Sequence, residues 1–593
     1  MNILILHNNN LPLSIRMLFN RVQEDLVFKS EVINKRESDK DEYDTFLDKV
    51  LLSKMEQEYA LIILPISLNE LNPLEYSGLR CAAHIRLDKR FKNERTPILF
   101  LAPEGLEEVL RLSKMGEFLL TPSVFISGCN TKESLLAWIE DKRSRIEGHR
   151  ISDIEYESFL NRFEVKPPMN FADEHHSITN IWTILRWNEM LQRTDSADPF
   201  LSEDVKDFSC SLYYKWLQAQ QSAREHFRPK KKETSFIGTI ADKKIVHIDD
   251  DVNRGLGDVL ENVFRSSKAS YIPFKDFNST YTQEELERRI KSFLDENDDA
   301  DCYLVDLRLH ETDNIPFDEN NDEAIKEVVK NFTGHRIARY IYGKNPGNQI
   351  VIFTASNKIW NYVAAEKYFS GYVIKENPEY IMTKAGSRSV FLEFSNAIQK
   401  ACRNSFLRVY YPLCKDVPYL DDFFEILRQD DEKDVRSHAI NLRSLALNLV
   451  VFIESTIKAS FSIDGYKLRK EDEIVADVFS ACIQCDYSSY PITPLRFGSY
   501  DGLLPGSEGN LKWSRIVEVK GKDGKQKITD IGLICAALNG FYSIGNDGID
   551  SVIKLKNIRN QSIAHAGDQA GLDMKLIRDT FDKVVQKMLM RKH

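Results

Sequence analysis

Four short hydrophobic runs, each ending in a chemically distinctive residue, constrain what this chain can fold into. Lys244-Ile-Val-His-Ile runs into Asp249-Asp250-Asp251, Cys302-Tyr-Leu-Val into Asp306, Gln349-Ile-Val-Ile-Phe into Thr354-Ala355, and Gly371-Tyr-Val-Ile into Lys375. Such runs read as buried parallel strands. Parallel strands bring their carboxyl ends to one edge of the sheet, where loops build sites. The pattern predicts an α/β domain over 233–400 with Asp249, Asp250, Asp306, Thr354 and Lys375 gathered at one edge. A lone acid at a strand end is usually a solvated surface group; four such endings in this order argue for a pocket.

The chemistry expected of that pocket is phosphoryl acceptance. Asp249, Asp250 and Asp306 are the expected ligands of Mg²⁺, which takes carboxylate oxygens and retains waters. Asp306 is the expected nucleophile, with the metal offsetting its charge. Lys375 supplies a fixed positive charge for phosphoryl oxygens, and Thr354 a hydroxyl that responds to the modification. This portion resembles the receiver domain of bacterial response regulators. The resemblance implies a flavodoxin-like fold, an acid pair at Asp249 and Asp250, a phosphoacceptor at Asp306, Thr354 and Lys375 in support, and a histidine kinase or other phosphoryl donor as partner. Two departures stand out. Glu376 replaces the proline that usually follows the lysine. The stretch from Asp306 to Thr354 is long and includes a polar segment, His310 to Asn321, expected as an excursion over the pocket rim or a surface loop.

Residues 1–145 repeat the rhythm without the chemistry. Strands are expected at Ile3–Leu6, Leu61–Leu64, Ile98–Leu101 and Val124–Ile126. Ser77-Gly-Leu-Arg-Cys-Ala-Ala-His-Ile-Arg86 parallels Thr333-Gly-His-Arg-Ile-Ala-Arg-Tyr-Ile-Tyr342, and both read as helices. His7 and Asn8 stand where the acid pair belongs, Pro65 occupies the acceptor region, and no lysine follows Phe125-Ile126. A degenerate receiver-like domain is expected here, suited to binding a partner or a second copy; an unrelated small α/β domain is the alternative.

The 593 residues suggest several domains, and the net charge of −10 lacks the overall basic footprint of a nucleic-acid binder. Nine scattered cysteines suit a reducing cytoplasm, and Met1-Asn-Ile-Leu-Ile-Leu lacks the basic start and long apolar run of a signal peptide. The middle segment, 146–232, is expected to be helical from Ile178, Ile181, Trp182, Leu185 and Met190 at helical spacing. Beyond 401, longer helices are expected at Ala439–Ile457, Ile474–Cys485, Ile528–Leu538, Ser551–Asn557 and Leu572–Met590. Leu442–Ile453 is interrupted by Arg443 and Asn448 and is short for a membrane span, so no membrane is expected.

Within Lys556-Asn-Ile-Arg-Asn-Gln-Ser-Ile-Ala-His-Ala-Gly567, Arg559 and His565 lie six apart with Asn560 beside the arginine. His acts as acid or base near neutral pH and Arg stabilises a pentavalent phosphate. The segment resembles the Arg-x4–6-His motif of HEPN helical domains, many of them metal-independent ribonucleases. That resemblance implies Arg559 and His565 as catalytic residues, Asn560 in support, RNA as substrate and a homodimeric cleft. An inactive helical output module and another helical domain remain open.

Together these expectations describe a multidomain chain: two flavodoxin-like, receiver-like α/β domains, a helical middle and an all-α C-terminal domain. Its expected function is a phosphorylation-responsive protein whose receiver controls a ribonuclease, as in bacterial stress or anti-phage defence. The alternative is a non-catalytic regulatory scaffold binding partner proteins.

Overall fold

The computed structural model describes residues 2–8, 28–33, 42–68, 76–102, 105–146, 150–168, 175–190, 201–224, 240–313, 328–355, 368–375, 387–430, 432, 434–465, 467–478, 518–520, 526–559 and 572–591. The chain divides into two compact units, one of residues 1–340 with 350–402 and one of 341–349 with 403–593.

The first unit contains two five-stranded sheets. The N-terminal sheet comprises β1 (Ile3–His7), β2 (Phe28–Val32), β3 (Leu61–Pro65), β4 (Ile98–Leu101) and β5 (Val124–Ser127), in the order β2-β1-β3-β4-β5. The second comprises β6 (Lys244–Ile248), β7 (Ser270–Pro273), β8 (Cys302–Val305), β9 (Ile350–Thr354) and β10 (Gly371–Ile374), in the order β7-β6-β8-β9-β10. All pairings in both sheets are parallel, so the two domains share one topology. The central strands are apolar because helices cover both faces. The edge strands β2 (Phe-Lys-Ser-Glu-Val) and β7 (Ser-Tyr-Ile-Pro) need no such run and carry no sequence signal of that kind.

The longer α-helices of the first domain are α1 (Tyr43–Lys54), α2 (Ser77–Leu87), α3 (Leu106–Leu112) and α4 (Lys132–Asp141). The middle segment forms α5 (Asp153–Arg162), α6 (His175–Met190), α7 (Glu203–Cys210) and α8 (Leu212–Arg224). Ser152 and Glu155 close a reciprocal capping box at the start of α5. The second domain adds α9 (Leu256–Ser266), α10 (Gln283–Asp295), α11 (Thr333–Lys344) and α12 (Ser387–Asn404). Leu256, Val259, Leu260, Val263 and Phe264 give α9 its buried stripe.

The middle helices pack against both α/β domains. Trp187 of α6 is fully buried, stacked on Phe353 of β9 at 5.5 Å and edge-on to Phe391 and Phe394 of α12 at 5.2 and 5.3 Å. On the N-terminal side, Thr45 of α1 donates to Asp207 of α7 at 3.0 Å, and the Leu212 amide at the start of α8 donates to Asp44 of α1 at 2.8 Å. One apolar core runs through Leu64 and Phe100 of the first sheet, Trp182 and Leu217 of the middle helices, and Phe353 and Val373 of the second sheet.

The second unit has a helical core, as expected, with a small addition. Its helices are α13 (Leu407–Cys414), α14 (Asp421–Gln429), α15 (Val435–Ser460), α16 (Asp530–Ala536), α17 (Asn546–Ile558), α18 (Met574–Thr580) and α19 (Gln586–Met590). Two five-residue π-helical turns, Ala537–Phe541 and Phe581–Val585, extend α16 and join α18 to α19. A helix was expected over Ile474–Cys485, but Glu473–Asp477 is strand β13 of an antiparallel sheet with β11 (Phe461–Asp464) and β12 (Lys467–Lys470); Val478 is helical, and 479–485 lie outside the described residues. Pairing with β12 outweighs the weak helical pattern of a short apolar run. Strands β14 (Glu518–Lys520) and β15 (Gln526–Ile528) pair antiparallel near the end of the segment expected as an irregular insertion, most of which lies outside the described residues. Helix α15 is longer than expected, with 26 residues, and by length and composition it could cross a membrane. Its Leu442, Leu445, Leu449, Phe452, Ile453 and Ile457 are buried in the helical core of this unit.

The paired helix signatures of the two α/β domains have a common steric cause. A Cβ on Gly78 would lie 2.1 Å from the carbonyl oxygen of Pro65, and one on Gly334 would lie 1.8 Å from that of Asp306. Each glycine lets its helix approach the end of the central strand. Gly334→Ala is expected to destabilise the first unit by about 1–3 kcal/mol and to lower its thermal midpoint. Gly343→Ala, where the added methyl meets nothing within 4 Å, is the control and should be neutral or slightly stabilising.

Candidate functional site

Four strand ends of the second sheet carry the residues expected of them. Asp249 follows β6, Asp306 follows β8, Thr354 ends β9 and Lys375 follows β10. The Lys375 amide donates to the Thr354 carbonyl at 2.7 Å, which fixes where the lysine leaves the sheet. Its ammonium lies 2.8 Å from Asp306 Oδ2, 2.9 Å from Asp249 Oδ2 and 3.8 Å from Asp251 Oδ2. All four side chains are fully buried. Lys375 also lies over the Phe353 ring, 5.4 Å from its centroid.

The acid cluster is larger than the expected one. Asp250 stays beside Asp249 and Asp306, and burial with its acidic neighbours pushes its carboxyl well up; Asp251 joins them as a further, fully buried carboxylate. Asp249 Oδ1 accepts from the Asp251 amide at 3.0 Å, a local turn that directs Asp251 inward. Asp251 is further held by Arg254, whose Nη1 donates to it at 2.9 Å, and Arg254 Nε donates to Asp204 of α7 at 3.0 Å. Asp249 also lies 3.4 Å from His247 Nε2, and His247 Nδ1 is 2.7 Å from the Tyr271 hydroxyl.

The electrostatics follow from burial and from the balance of signs. Burial pushes the Asp249 carboxyl up, but the Lys375 charge and the His247 contact overcome this and hold it below the usual carboxylate range. Burial pushes Asp251 up as well; Lys375 and Arg254 oppose the shift, Asp249 and Asp306 add to it, and the net direction is upward. Burial works against the Lys375 ammonium, yet Asp249, Asp306 and Asp251 hold it well above its usual range. Three buried carboxylates and two cations form a nearly self-neutralised cluster.

That arrangement does not suit the expected metal. One carboxylate oxygen each of Asp249, Asp250 and Asp306 can be chosen to lie within 4.8 Å of the others. Mg²⁺, however, needs near-octahedral oxygen ligands and usually keeps several waters. Here the central position between Asp249 and Asp306 belongs to an ammonium, and both carboxylates are sealed from solvent.

A further carboxylate escaped the sequence argument. Asp313, within the polar segment, is buried and accepts from the amides of Leu309, His310 and Thr333 at 2.9, 3.0 and 3.1 Å. It ties the loop after Asp306 to the start of α11. The other candidate site is only partly in view. Arg559 Nη1 donates to Glu454 Oε2 of α15 at 2.9 Å, beside Lys556, which pairs with the same carboxylate. Asn560 and His565 lie outside the described residues.

Residues 14–127 match the family described as the inactive receiver domain (iREC). No curated protein and no solved structure matches the chain. The receiver relationship thus falls on the N-terminal α/β domain, in its inactive form, and the acid cluster of Asp249, Asp250 and Asp306 lies outside it. The expected Mg²⁺-loaded receiver pocket is corrected accordingly, as is the expected phosphorylation-responsive, two-component switch. Control of a C-terminal ribonuclease by such a switch falls with it. The C-terminal domain is helical at its core, and nothing in the comparisons identifies it as HEPN.

Removing the lysine tests the cluster as a structural element. Lys375→Met strands three buried carboxylates and is expected to cost about 3–5 kcal/mol. The loss should be largest near pH 7 and shrink as the pH falls toward the carboxylate range, because protonation relieves the stranded charge. Thermal unfolding of the variant and the parent across that pH range reads both effects.

Proposed function

We propose that this chain is a non-catalytic regulatory scaffold that binds partner proteins through its receiver-like and helical domains. One observation carries this reading: the segment that matches a receiver matches the inactive kind. The residues at its strand ends agree. His7 and Asn8 follow the core of β1 and Pro65 ends β3, so no carboxylate stands where the acid pair and the phosphoacceptor would be needed.

The packing supports the same reading. A scaffold must hold its surfaces in a fixed relation, and the middle helices contact both α/β domains of the first unit through one continuous core. The second domain keeps the strand order of a receiver but closes its acidic edge around Lys375, which favours a stabilising role over turnover. A second copy of the chain is among the protein partners proposed, and light scattering on the full chain reads that directly. A cytoplasmic setting is proposed with it, since the seven described cysteines are free thiols and five of them are buried.

The test exposes the full chain to acetyl phosphate with Mg²⁺ and measures intact mass after acid quench. No phosphoryl adduct is expected. Asp306→Asn is expected to capture the same partner proteins from native extract as the parent chain. A stoichiometric adduct that Asp306→Asn abolishes, together with a changed partner set, would replace the scaffold by a switch.

A further inference from the structure

Helix α8 meets the N-terminal domain through charge that is buried on both sides. Lys215 is only 3% exposed, and its ammonium reaches Asp48 Oδ1 at 2.6 Å, Asp88 Oδ2 at 2.9 Å and His84 Nδ1 at 3.0 Å. An ammonium has only protons to give, so Nδ1 of the fully buried His84 accepts. The imidazole is therefore neutral, with its proton on Nε2, which donates to Asp44 Oδ1 at 3.0 Å. The other oxygen of Asp44 accepts from the Leu212 amide, the first residue of α8, at 2.8 Å and from Arg80 Nη2 at 2.7 Å. One neutral ring thus joins α1, α2 and α8.

A proton added at Nδ1 would turn that acceptor into a donor. The hydrogen bond from Lys215 would be lost, and two cations would face each other across the 3.0 Å now spanned by that bond. Water cannot enter to screen them while the helices stay packed. We propose that this contact is an acid-operated latch: neutral His84 holds α8 against the receiver-like domain, and protonated His84 releases it. The latch rests on this packing, whatever the chain binds.

The surrounding groups leave His84 as the residue whose ordinary titration range lies between pH 5 and 8. The titratable and charged groups around the His84–Lys215 contact are Asp44 and Asp48 from α1, Arg80 and Cys81 from α2, and Asp88 and Arg90 just beyond α2. Asp207 and Cys210 of α7 lie against α1. Burial raises Asp44, but hydrogen bonds from His84 and Arg80 bring it below the usual carboxylate range. Burial likewise raises Asp88, yet Arg90 and Lys215 lower it to about 2. Burial pushes the Cys81 and Cys210 thiols up to about 12 and about 11. For His84, burial and then the Lys215 charge lower the affinity for a proton. A released imidazole binds its proton near the ordinary value of about 6.5. Docking is therefore full above that pH and weakens below it, by at most about tenfold per pH unit for one proton.

Hydrogen exchange of the full chain, corrected for intrinsic rates and read by mass spectrometry at pH 7.5 and 5.5, tests the latch. Protection across 203–224 is expected to fall by about fivefold or more on acidification, with β8 and β9 unchanged. His84→Gln can both accept and donate but takes up no proton in this range, so its protection should be the same at both pH values. Lys215→Met provides a second arm: without the opposing cation the acid-induced loss should shrink. Equal protection of the parent chain at both pH values, an undiminished loss in His84→Gln, or a loss shared by β8 and β9 would overturn the proposal.

Discussion

The burial of Trp187 and its neighbours on α6 is the contact on which the first unit depends. A helix buried on most of its sides needs partners around it, and α6, with Ile178 to Leu185 and Trp187 buried, finds them in β9 and α12 through Trp187 and in α8 through Trp182, whose ring meets Tyr214 at 5.3 Å. Polar contacts then set the orientation. Arg254 holds Asp204 of α7 from the second domain, while Asp44 and Asp48 hold α8 from the first. The middle segment is thus a shared part of one core, and the two α/β domains of this unit are built around it.

Lys375 illustrates how one set of residues can serve structure as well as chemistry. Carboxylates at the ends of parallel strands repel one another, and a sheet that gathers three of them must supply compensating charge. A bound metal is one solution and a buried ammonium is another. In this chain the ammonium occupies the position between Asp249 and Asp306, and Arg254 carries the compensation outward to α7. The acid cluster is thereby joined to the middle helices. That coupling suits a domain whose role is to hold a fixed geometry, and it agrees with a receiver relationship that rests on the N-terminal domain alone.

Much of this was legible in the sequence because it depends on local patterns. The apolar runs located β1, β3, β4 and β5 and the central strands of the second sheet, and the Ser77-Gly78 and Thr333-Gly334 signatures marked helices that approach a strand end. The missing acids at His7, Asn8 and Pro65 pointed to the inactive character of the N-terminal domain. What was not legible depends on tertiary contact. Asp251 follows Asp250 directly, and only the turn at Asp249 shows that this third acid of the run is buried with the cluster as well. Asp313 lay in a segment whose polarity suggested a surface loop. His84 and Lys215 are 131 residues apart, so no spacing rule could pair them. Most consequentially, the strongest motif carried the expectation of phosphoryl chemistry to Asp306, because strand-end residues report a fold and a pocket but not whether that pocket is open.

The most direct test of a fixed scaffold is the distance between its two α/β domains. Spin labels introduced as unnatural amino acids at Glu133 of α4 and Arg288 of α10, both exposed, would report that distance by double electron–electron resonance in the full chain. One narrow distribution, unchanged by beryllofluoride and Mg²⁺, is expected of two domains held by shared helices. A broad distribution, or one that shifts when the phosphoryl analogue is added, would contradict a fixed body and restore the case for a switch.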